Sequence, residues 1–177
     1  MASRAHAGQT YGGEQEGERI AYINHLASVA MEVSWAIALE AEQGQSRDAR
    51  LAIQCALLHD TVEDTATTVA ELTQHFGAAV AAGVLALSKN PDLAKEQQLP
   101  DSLQRILQQA PEVAMVKLAD RITNLYHPPF YWDKDKILSY RDEAQLILNR
   151  LGHVSAPLAQ RLAQKIEIYP QFIAKLS

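Results

Sequence analysis

Residues 55–64 read Cys-Ala-Leu-Leu-His-Asp-Thr-Val-Glu-Asp, so an apolar run is followed at once by one histidine and three carboxylates. Carboxylates are rarely buried unpaired, because removing a charge from water costs more than packing returns. If the segment is helical, His59 and Glu63 are four residues apart, as are Asp60 and Asp64, so all four line one flank. This arrangement suits a metal ion with an acid/base group beside it.

Helical periodicity continues along the rest of the chain and predicts an all-α fold. Thr68-Val-Ala-Glu71 has the form of a capping box, which starts a helix that Gly77 ends. No segment shows the alternation of a half-buried strand, and the glycine-containing residues 12–17 are predicted to be a loop. The polar residues 92–99 are predicted to be a mobile loop. The predicted helices span 20–42, 46–64, 68–77, 78–88, 101–109, 111–126, 133–151 and 155–168.

The composition indicates one globular domain covering residues 1–177. The hydrophobic fraction of 47% and charged fraction of 21% are ordinary for such a domain, and the length allows a sizeable core. A net charge of −5 gives no electrostatic footprint for nucleic acid or an anionic membrane. The most apolar run, 77–87, is too short to span a bilayer. A lone cysteine, Cys55, and a polar N-terminus without the form of a signal peptide predict a cytoplasmic location, whereas the oligomeric state stays open.

The predicted helix over 111–126 carries a polar stripe on a largely apolar surface. Lys117, Asp120 and Asn124 follow one another at spacings of three and four residues, so they share one face. One interpretation is a Lys117–Asp120 ion pair on a face turned to solvent. The other is that the stripe faces the same cavity as His59, with Asp120 as a further metal ligand.

His25 lies early in a predicted helix between apolar neighbours, where a single histidine is more often a core residue than a ligand. It becomes a ligand candidate because a metal held by His59, Asp60 and Asp120 would require further donors. Imidazole and carboxylate ligands together suit Mn, Fe, Co or Zn better than Ca or Mg.

Five motifs in this order resemble those of the HD-domain phosphohydrolases. They are His-Ala-Gly-Gln-Thr-Tyr-Gly-Gly (6–13), Tyr-Ile-Asn-His (22–25), Ala-Leu-Leu-His-Asp-Thr-Val-Glu-Asp-Thr (56–65), His-Phe-Gly (75–77) and Val-Lys-Leu-Ala-Asp-Arg (116–121). The likeness is strongest to the hydrolase domain of RelA/SpoT enzymes and to the stand-alone small alarmone hydrolases. It covers roughly residues 5–151 and leaves the predicted C-terminal helix over 155–168 outside the motifs.

The resemblance implies a compact helical bundle with a metal site between its helices. It also implies hydrolysis of the 3′-pyrophosphate of ppGpp or pppGpp, usually with Mn2+. By position, the four metal ligands are His25, His59, Asp60 and Asp120. Glu63 and Asp64 match the pair that positions and activates the attacking water, and Asn124 and Tyr140 match nucleotide-binding positions. Lys136 lies where the family often has a basic residue, one helical turn before that tyrosine.

The residues that would contact the rest of the substrate depart from the family pattern. Lys117 and Arg105 join Lys136 as candidate cations for the pyrophosphate, and Tyr11 can stack on a base. The loop around Tyr11 has glycines and an acidic run, residues 14–18, where the family usually has basic residues that hold the purine. Two alternatives therefore stay open: the same chemistry on another nucleotide such as ppApp or NADPH, and a regulatory module without turnover.

Overall fold

A computed structural model describes residues 1–13 and 15–175, and it confirms the all-α prediction. Short 3-10 turns at Gly152–Val154 and Tyr169–Lys175 flank the last helix. The α-helices, numbered in chain order, are α1 (Ala2–Ala5), α2 (Ile23–Glu42), α3 (Ala49–Leu58), α4 (Thr61–Asp64), α5 (Val69–Phe76), α6 (Ala78–Leu87), α7 (Lys95–Ile106), α8 (Pro111–Asn124), α9 (Lys134–Leu151) and α10 (Ala156–Ile168).

Helix α8 forms the centre of the bundle. Proline at its first position is compatible with the helix start, because that N–H has no intrahelical acceptor. Met115, Leu118 and Ile122 are completely buried, since α2, α3, α9 and α10 pack around this helix. Burying each such side chain contributes about 1.5–3 kcal/mol, so α8 organises the core. Any polar residue on α8 is therefore carried into the interior.

Close packing between α6 and α3 depends on a glycine. A Cβ at Gly83 would lie 2.9 Å from Cys55 Sγ and 2.9 Å from Val113 Cγ2. Both neighbours are buried side chains of the core. The absence of a side chain at Gly83 thus lets α6 approach the helices that carry the polar cluster described below.

The predicted helix over 46–64 is interrupted, which corrects the expectation that His59 and Glu63 share one helical flank. Helix α3 ends at Leu58, and α4 begins at Thr61. The His59 ring bonds the carbonyl of Ala56 at 2.8 Å, and the Thr61 hydroxyl donates to the carbonyl of Leu58 at 2.7 Å. These side chains compete for carbonyls that a continuous helix would use, so the helix breaks at its functional residues.

Two short strands correct the expectation of a chain without strands. Strand β1 (Thr10–Gly12) pairs antiparallel with β2 (Arg19–Ala21), and Tyr11 lies opposite Ile20. Three-residue strands are too short for alternation to be visible in the sequence. The predicted loop over 12–17 contains most of the connection between them.

Helix α7 corrects the prediction of a loop over 92–99, because it begins at Lys95 and continues through Pro100. The Ser102 hydroxyl donates to the carbonyl of Ala86 at 2.8 Å, which ties α7 to the end of α6. Arg105 donates to the carbonyls of Leu85 and Ser88 and so reinforces this junction. Among the described residues, no helix is long and apolar enough to cross a membrane.

Candidate metal centre

Four side chains from three separate parts of the chain converge in the interior. His25 lies in the first turn of α2, His59 and Asp60 lie at the break between α3 and α4, and Asp120 lies on α8. His25 Nε2 is 3.3 Å from His59 Nε2 and 3.3 Å from Asp120 Oδ1. Asp60 Oδ2 is 2.9 Å from His59 Nε2 and 3.7 Å from His25 Nε2. The structure therefore brings together all four residues predicted as metal ligands.

The hydrogen bonds made by the two imidazoles fix which nitrogen faces the cluster. His59 Nδ1 lies 2.8 Å from the carbonyl of Ala56, so this nitrogen carries a proton. The Thr123 hydroxyl donates to the carbonyl of Asp120 at 2.9 Å and can accept from His25 Nδ1 at 3.3 Å. In the neutral tautomers that these bonds favour, both Nε2 lone pairs point into the cluster.

The two carboxylates are oriented by their own hydrogen-bond donors. Tyr22 donates its hydroxyl to Asp60 Oδ2 at 2.6 Å. Lys117 Nζ lies 3.0 Å from Asp120 Oδ2, and Asn124 donates to Asp120 Oδ1 at 2.6 Å. The Lys117–Asp120 pair exists, but Asp120 is buried, so the polar stripe faces the cavity beside His59 and not solvent.

The pKa values of the clustered side chains are shifted because charged groups lie close together in a buried site. Burial opposes the ionisation of Asp60, yet the adjacent His59 lowers its pKa to about 2. Burial also raises the pKa of Asp120, but Lys117 and the two histidines outweigh it and hold that pKa well below its ordinary value. Burial disfavours a charged His59, but Asp60 and Asp120 raise its pKa well above the ordinary value. Both carboxylates are thus ionised and would attract any cation.

The donor set fits a divalent transition metal. One ligand atom each from His25, His59 and Asp120 lie within 4.8 Å of one another, and Asp60 adjoins them. Two imidazole lone pairs beside two carboxylates repel one another unless a cation or proton lies between them. Mixed nitrogen and oxygen donors match first-row transition metals better than Ca2+ or Mg2+. His59 would release a proton on binding such an ion.

Glu63 and Asp64, predicted as the water-activating pair, occupy different surroundings. Glu63 accepts from Lys89 Nζ and from the backbone N–H of Lys89, each at 2.8 Å, so both of its oxygens are engaged. Asp64 Oδ2 lies 3.4 Å from the Tyr22 hydroxyl, the same group that bonds Asp60. Burial, Asp60 and Glu63 together raise the pKa of Asp64. Asp64 is consequently the member of the pair that shares a hydrogen-bond donor with the predicted ligand Asp60.

Two cavities meet at the metal centre and share Tyr22, His25, Asn124 and Tyr140. The first, of about 700 Å³, is lined by aromatic and small polar residues, and no Lys or Arg lines it among the described residues. The second, of about 390 Å³, contains the predicted ligands Asp60 and Asp120. Its basic lining residues are Lys89, Lys95, Lys117, Arg121 and Lys136. We call these the aromatic cavity and the cationic cavity.

The predicted substrate residues divide between these cavities, with one exception. Tyr11 lies in the aromatic cavity, Lys117 and Lys136 lie in the cationic cavity, and Asn124 and Tyr140 line both. Arg105 lines neither cavity, because its guanidinium binds Asp101 Oδ2 at 2.8 Å and the carbonyls at the end of α6. These contacts give Arg105 a structural role, and its substrate role stays a prediction.

Tyr140 is held between two π contacts. The guanidinium of Arg121 lies 3.9 Å from its ring centroid, and the ring of Trp132 packs at 4.9 Å. Burial raises the pKa of Tyr140 to about 12, so its hydroxyl stays protonated and available as a donor. Such packing fixes the ring at the junction of the two cavities.

Sequence reasoning missed several residues of the site. Tyr22 and Thr123 orient Asp60 and His25, respectively. Lys89 follows α6 directly and has no periodic relation to Glu63, so only the tertiary structure reveals their contact. Lys95 lies in the segment predicted to be a loop. Tyr22 is part of a quoted motif and could have been recognised from it.

Comparisons with known proteins agree with this geometry. The sequence profile of the HD domain matches residues 2–164. The chain is 31% identical to the guanosine-3′,5′-bis(diphosphate) 3′-pyrophosphohydrolase MESH1 of Danio rerio, covering 93% of this chain and 87% of that protein. The human MESH1 is also 31% identical, with 92% and 87% covered.

A longer bacterial relative and a solved structure extend the comparison. The guanosine-3′,5′-bis(diphosphate) 3′-pyrophosphohydrolase of Aquifex aeolicus is 29% identical over 80% of this chain, which spans 18% of that protein. The structure of a metazoan SpoT orthologue described as hydrolysing ppGpp superposes with a TM-score of 0.76 at 22% identity. It covers 94% of this chain and 89% of its own, and it shares the helical fold.

Proposed function

The chain belongs to the HD domain family, and we propose that it is a metal-dependent hydrolase that removes the 3′-pyrophosphate of ppGpp or pppGpp. The observation that carries this proposal is the convergence of two imidazole Nε2 atoms and two carboxylates at the meeting point of the two cavities. The relatives named as 3′-pyrophosphohydrolases cover nearly the whole chain, which supports the same reaction class here.

The ligands of the metal are proposed to be His25, His59, Asp60 and Asp120. A divalent ion held there supplies Lewis acidity toward a phosphoryl oxygen and lowers the pKa of a water molecule. We propose Mn2+ as that ion, since the mixed imidazole and carboxylate donors suit it. The tautomers fixed by the Ala56 carbonyl and the Thr123 hydroxyl keep both Nε2 atoms available.

Asp64 is proposed to orient the attacking water and accept its proton. Its carboxylate shares the Tyr22 hydroxyl with Asp60, so it lies beside the ligand shell rather than within it. Glu63 lines the cationic cavity, as Asp64 does, but its carboxylate oxygens are bound by Lys89. Glu63 therefore supports the reaction by keeping Lys89 at the cavity, and it can act on the water only by leaving Lys89.

The two cavities suit different parts of a nucleotide, the pyrophosphate and the base. Ammonium groups of Lys89, Lys95, Lys117 and Lys136 make the cationic cavity suitable for a pyrophosphate. The aromatic cavity suits the base, because stacking on aromatic rings requires no charge. Asn124 and Tyr140 lie between the cavities, where they can donate hydrogen bonds to the sugar.

The same metal-dependent hydrolysis on another nucleotide is a second candidate, with ppApp losing its 3′-pyrophosphate or NADPH losing its 2′-phosphate. It is favoured by the aromatic cavity, where Tyr11, Gly12 and Gly13 replace the basic residues expected of a purine-holding loop. Stacking on tyrosine does not distinguish guanine from adenine. The carboxylate of Glu18 lines this cavity as well and could accept from base amino groups.

Release assays on the purified, Mn2+-loaded protein test this proposal: pyrophosphate release from ppGpp, ppApp and simple nucleotides, and phosphate release from NADPH. We expect release from ppGpp, abolished together with metal binding in Asp60→Ala and His59→Ala. Asp64→Ala should keep the metal and lose turnover, whereas Glu63→Ala should keep the metal and lose activity only through its effect on Lys89. Glu167→Ala, which removes an exposed carboxylate of α10, is the matched control. Turnover by a metal-free Asp60→Ala protein would refute the ligand assignment.

We also propose that the protein acts in the cytoplasm on a free small-molecule nucleotide. The single cysteine, Cys55, is buried and unpaired, which is compatible with a reducing compartment.

A further inference from the structure

Tyr126 lies two residues beyond the end of α8 and is anchored by two charged residues from other helices. Its hydroxyl donates to Glu32 Oε1 of α2 at 2.5 Å. The same carboxylate accepts from Arg161 of α10, with Nε to Oε2 at 2.6 Å and Nη2 to Oε1 at 2.8 Å. Three separate elements therefore determine the position of one aromatic ring.

Burying the carboxylate of Glu32 costs free energy, which indicates that the cluster has a role beyond an ordinary surface ion pair. Glu32 is 6% exposed, so its carboxylate is largely removed from water and depends on Arg161 and Tyr126 for compensation. Replacing such a pair by apolar residues of similar volume is often neutral or stabilising. The arrangement is thus better explained by the geometry that it imposes than by stability alone.

The ring of Tyr126 forms a wall of the aromatic cavity. It remains 44% exposed although its hydroxyl is fixed. Lys165 Nζ lies 4.0 Å from the ring centroid, so it covers part of the ring. Tyr126 also lines a smaller cavity of about 340 Å³ on the outer side, together with Trp35 and Met31. The ring thus separates the aromatic cavity from this outer surface.

We propose that Tyr126 is a substrate-binding residue that contacts the base of the nucleotide, and that Glu32 and Arg161 are positioning residues that hold it. This inference rests on the proposed function, because it assigns a base to the aromatic cavity. A ring fixed in advance loses little conformational freedom when a base binds, so its contact contributes more to affinity. The ligand class is a neutral heteroaromatic base, since no Lys or Arg among the described residues lines this cavity.

Steady-state kinetics on ppGpp with four variants tests the proposal. Tyr126→Ala removes the wall and should raise KM about tenfold, the value of one base–aromatic stacking contact, while kcat stays within about twofold. Tyr126→Phe and Arg161→Ala leave the ring but release it, so their KM should lie between wild type and Tyr126→Ala. Arg161→Lys should partly restore KM, because it returns one charged donor to Glu32.

The control and the second measurement separate this inference from the proposed function. Arg150→Ala removes an exposed arginine that bonds only Gln104 among the described contacts, and it should leave KM unchanged. Titration calorimetry with GDP measures base binding without turnover and should show the same order of variants. If wild type fails to cleave ppGpp, the proposed function fails, and the GDP titrations still decide the role of Tyr126.

Defined results would overturn the proposal. They are equal GDP affinity in wild type and Tyr126→Ala, an unchanged KM in that variant, or no GDP binding by wild type. A loss confined to kcat in Arg161→Ala would also overturn it. Tyr126→Phe keeps the Glu32–Arg161 pair intact, so it gives a result even if Arg161→Ala does not fold.

Discussion

Replacing Thr123 by valine should weaken metal binding without removing any ligand. The Thr123 hydroxyl donates to the carbonyl of Asp120 and accepts from His25 Nδ1, so one side chain sets the orientation of a ligand from another helix. Valine has nearly the same shape but cannot accept this proton. The Nδ1–H would then be buried without a partner, or the proton would move to Nε2, where it blocks the lone pair that faces the metal.

The expected loss of Mn2+ affinity follows from the length of the Thr123–His25 hydrogen bond and from the usual effect of losing such a partner behind a metal-binding histidine. Loss of a hydrogen-bond partner behind a metal-ligating histidine typically lowers affinity by roughly 10–100-fold. The distance from His25 Nδ1 to the Thr123 hydroxyl is 3.3 Å, which is long for a hydrogen bond. We therefore expect the lower end, about a tenfold rise in the Mn2+ dissociation constant, or ~1.4 kcal/mol.

Calorimetric titration of the metal-free variant with Mn2+ at constant pH and salt measures this effect. Thr73→Val makes the same change on an exposed face of α5, where the hydroxyl bonds only the carbonyl of Val69 among the described contacts, and it should bind Mn2+ like wild type. Thermal melting of the metal-free proteins verifies that Thr123→Val folds. A folded Thr123→Val protein with a dissociation constant within about twofold of wild type would refute the reasoning, given the tenfold or larger loss expected.

Three further predictions follow from the same structure. Since neighbouring carboxylates raise the pKa of His59 despite its burial, metal uptake should release a proton, and Mn2+ affinity should increase with pH until the raised pKa is passed. Calorimetry in buffers of different ionisation enthalpy would detect this release, and uptake without proton release would contradict it. Gly83→Ala should lower the free energy of unfolding in urea by about 1–3 kcal/mol, because the new Cβ meets Cys55 and Val113 at 2.9 Å, and an unchanged midpoint would exclude this clash. Lys89→Ala should reduce kcat/KM about tenfold by removing a charged donor from the cationic cavity, with Mn2+ affinity unchanged. A parallel loss of metal would show that Lys89 acts on the metal centre rather than on the substrate.

Helical periodicity alone was enough to predict the fold class and most helix positions. The predicted helix over 155–168 corresponds to Ala156–Ile168, and that over 133–151 corresponds to Lys134–Leu151. The predicted proline start of α8 is also confirmed. The pattern failed where side chains compete with the backbone. At His59 and Thr61, bonds to the carbonyls of Ala56 and Leu58 end one helix and begin another.

The candidate site was likewise predictable from the sequence in part only. Residue type and motif order were sufficient to name His25, His59, Asp60 and Asp120 together, and the structure places them in one cluster. Arg105 was chosen only as a nearby cation, and its bonds to the end of α6 could not be read from charge or spacing.

The sequence by itself determined which chemistry the chain can carry out, because donor atoms, carboxylates and helical periodicity are properties of residue type and order. The tertiary structure decided how those groups act. It set the imidazole tautomers through Thr123 and the Ala56 carbonyl, and it placed Lys89 on Glu63. It also fixed Tyr126 through Glu32 and Arg161. These contacts join residues far apart in the chain, and only the packing of the helices around α8 brings them within hydrogen-bond distance.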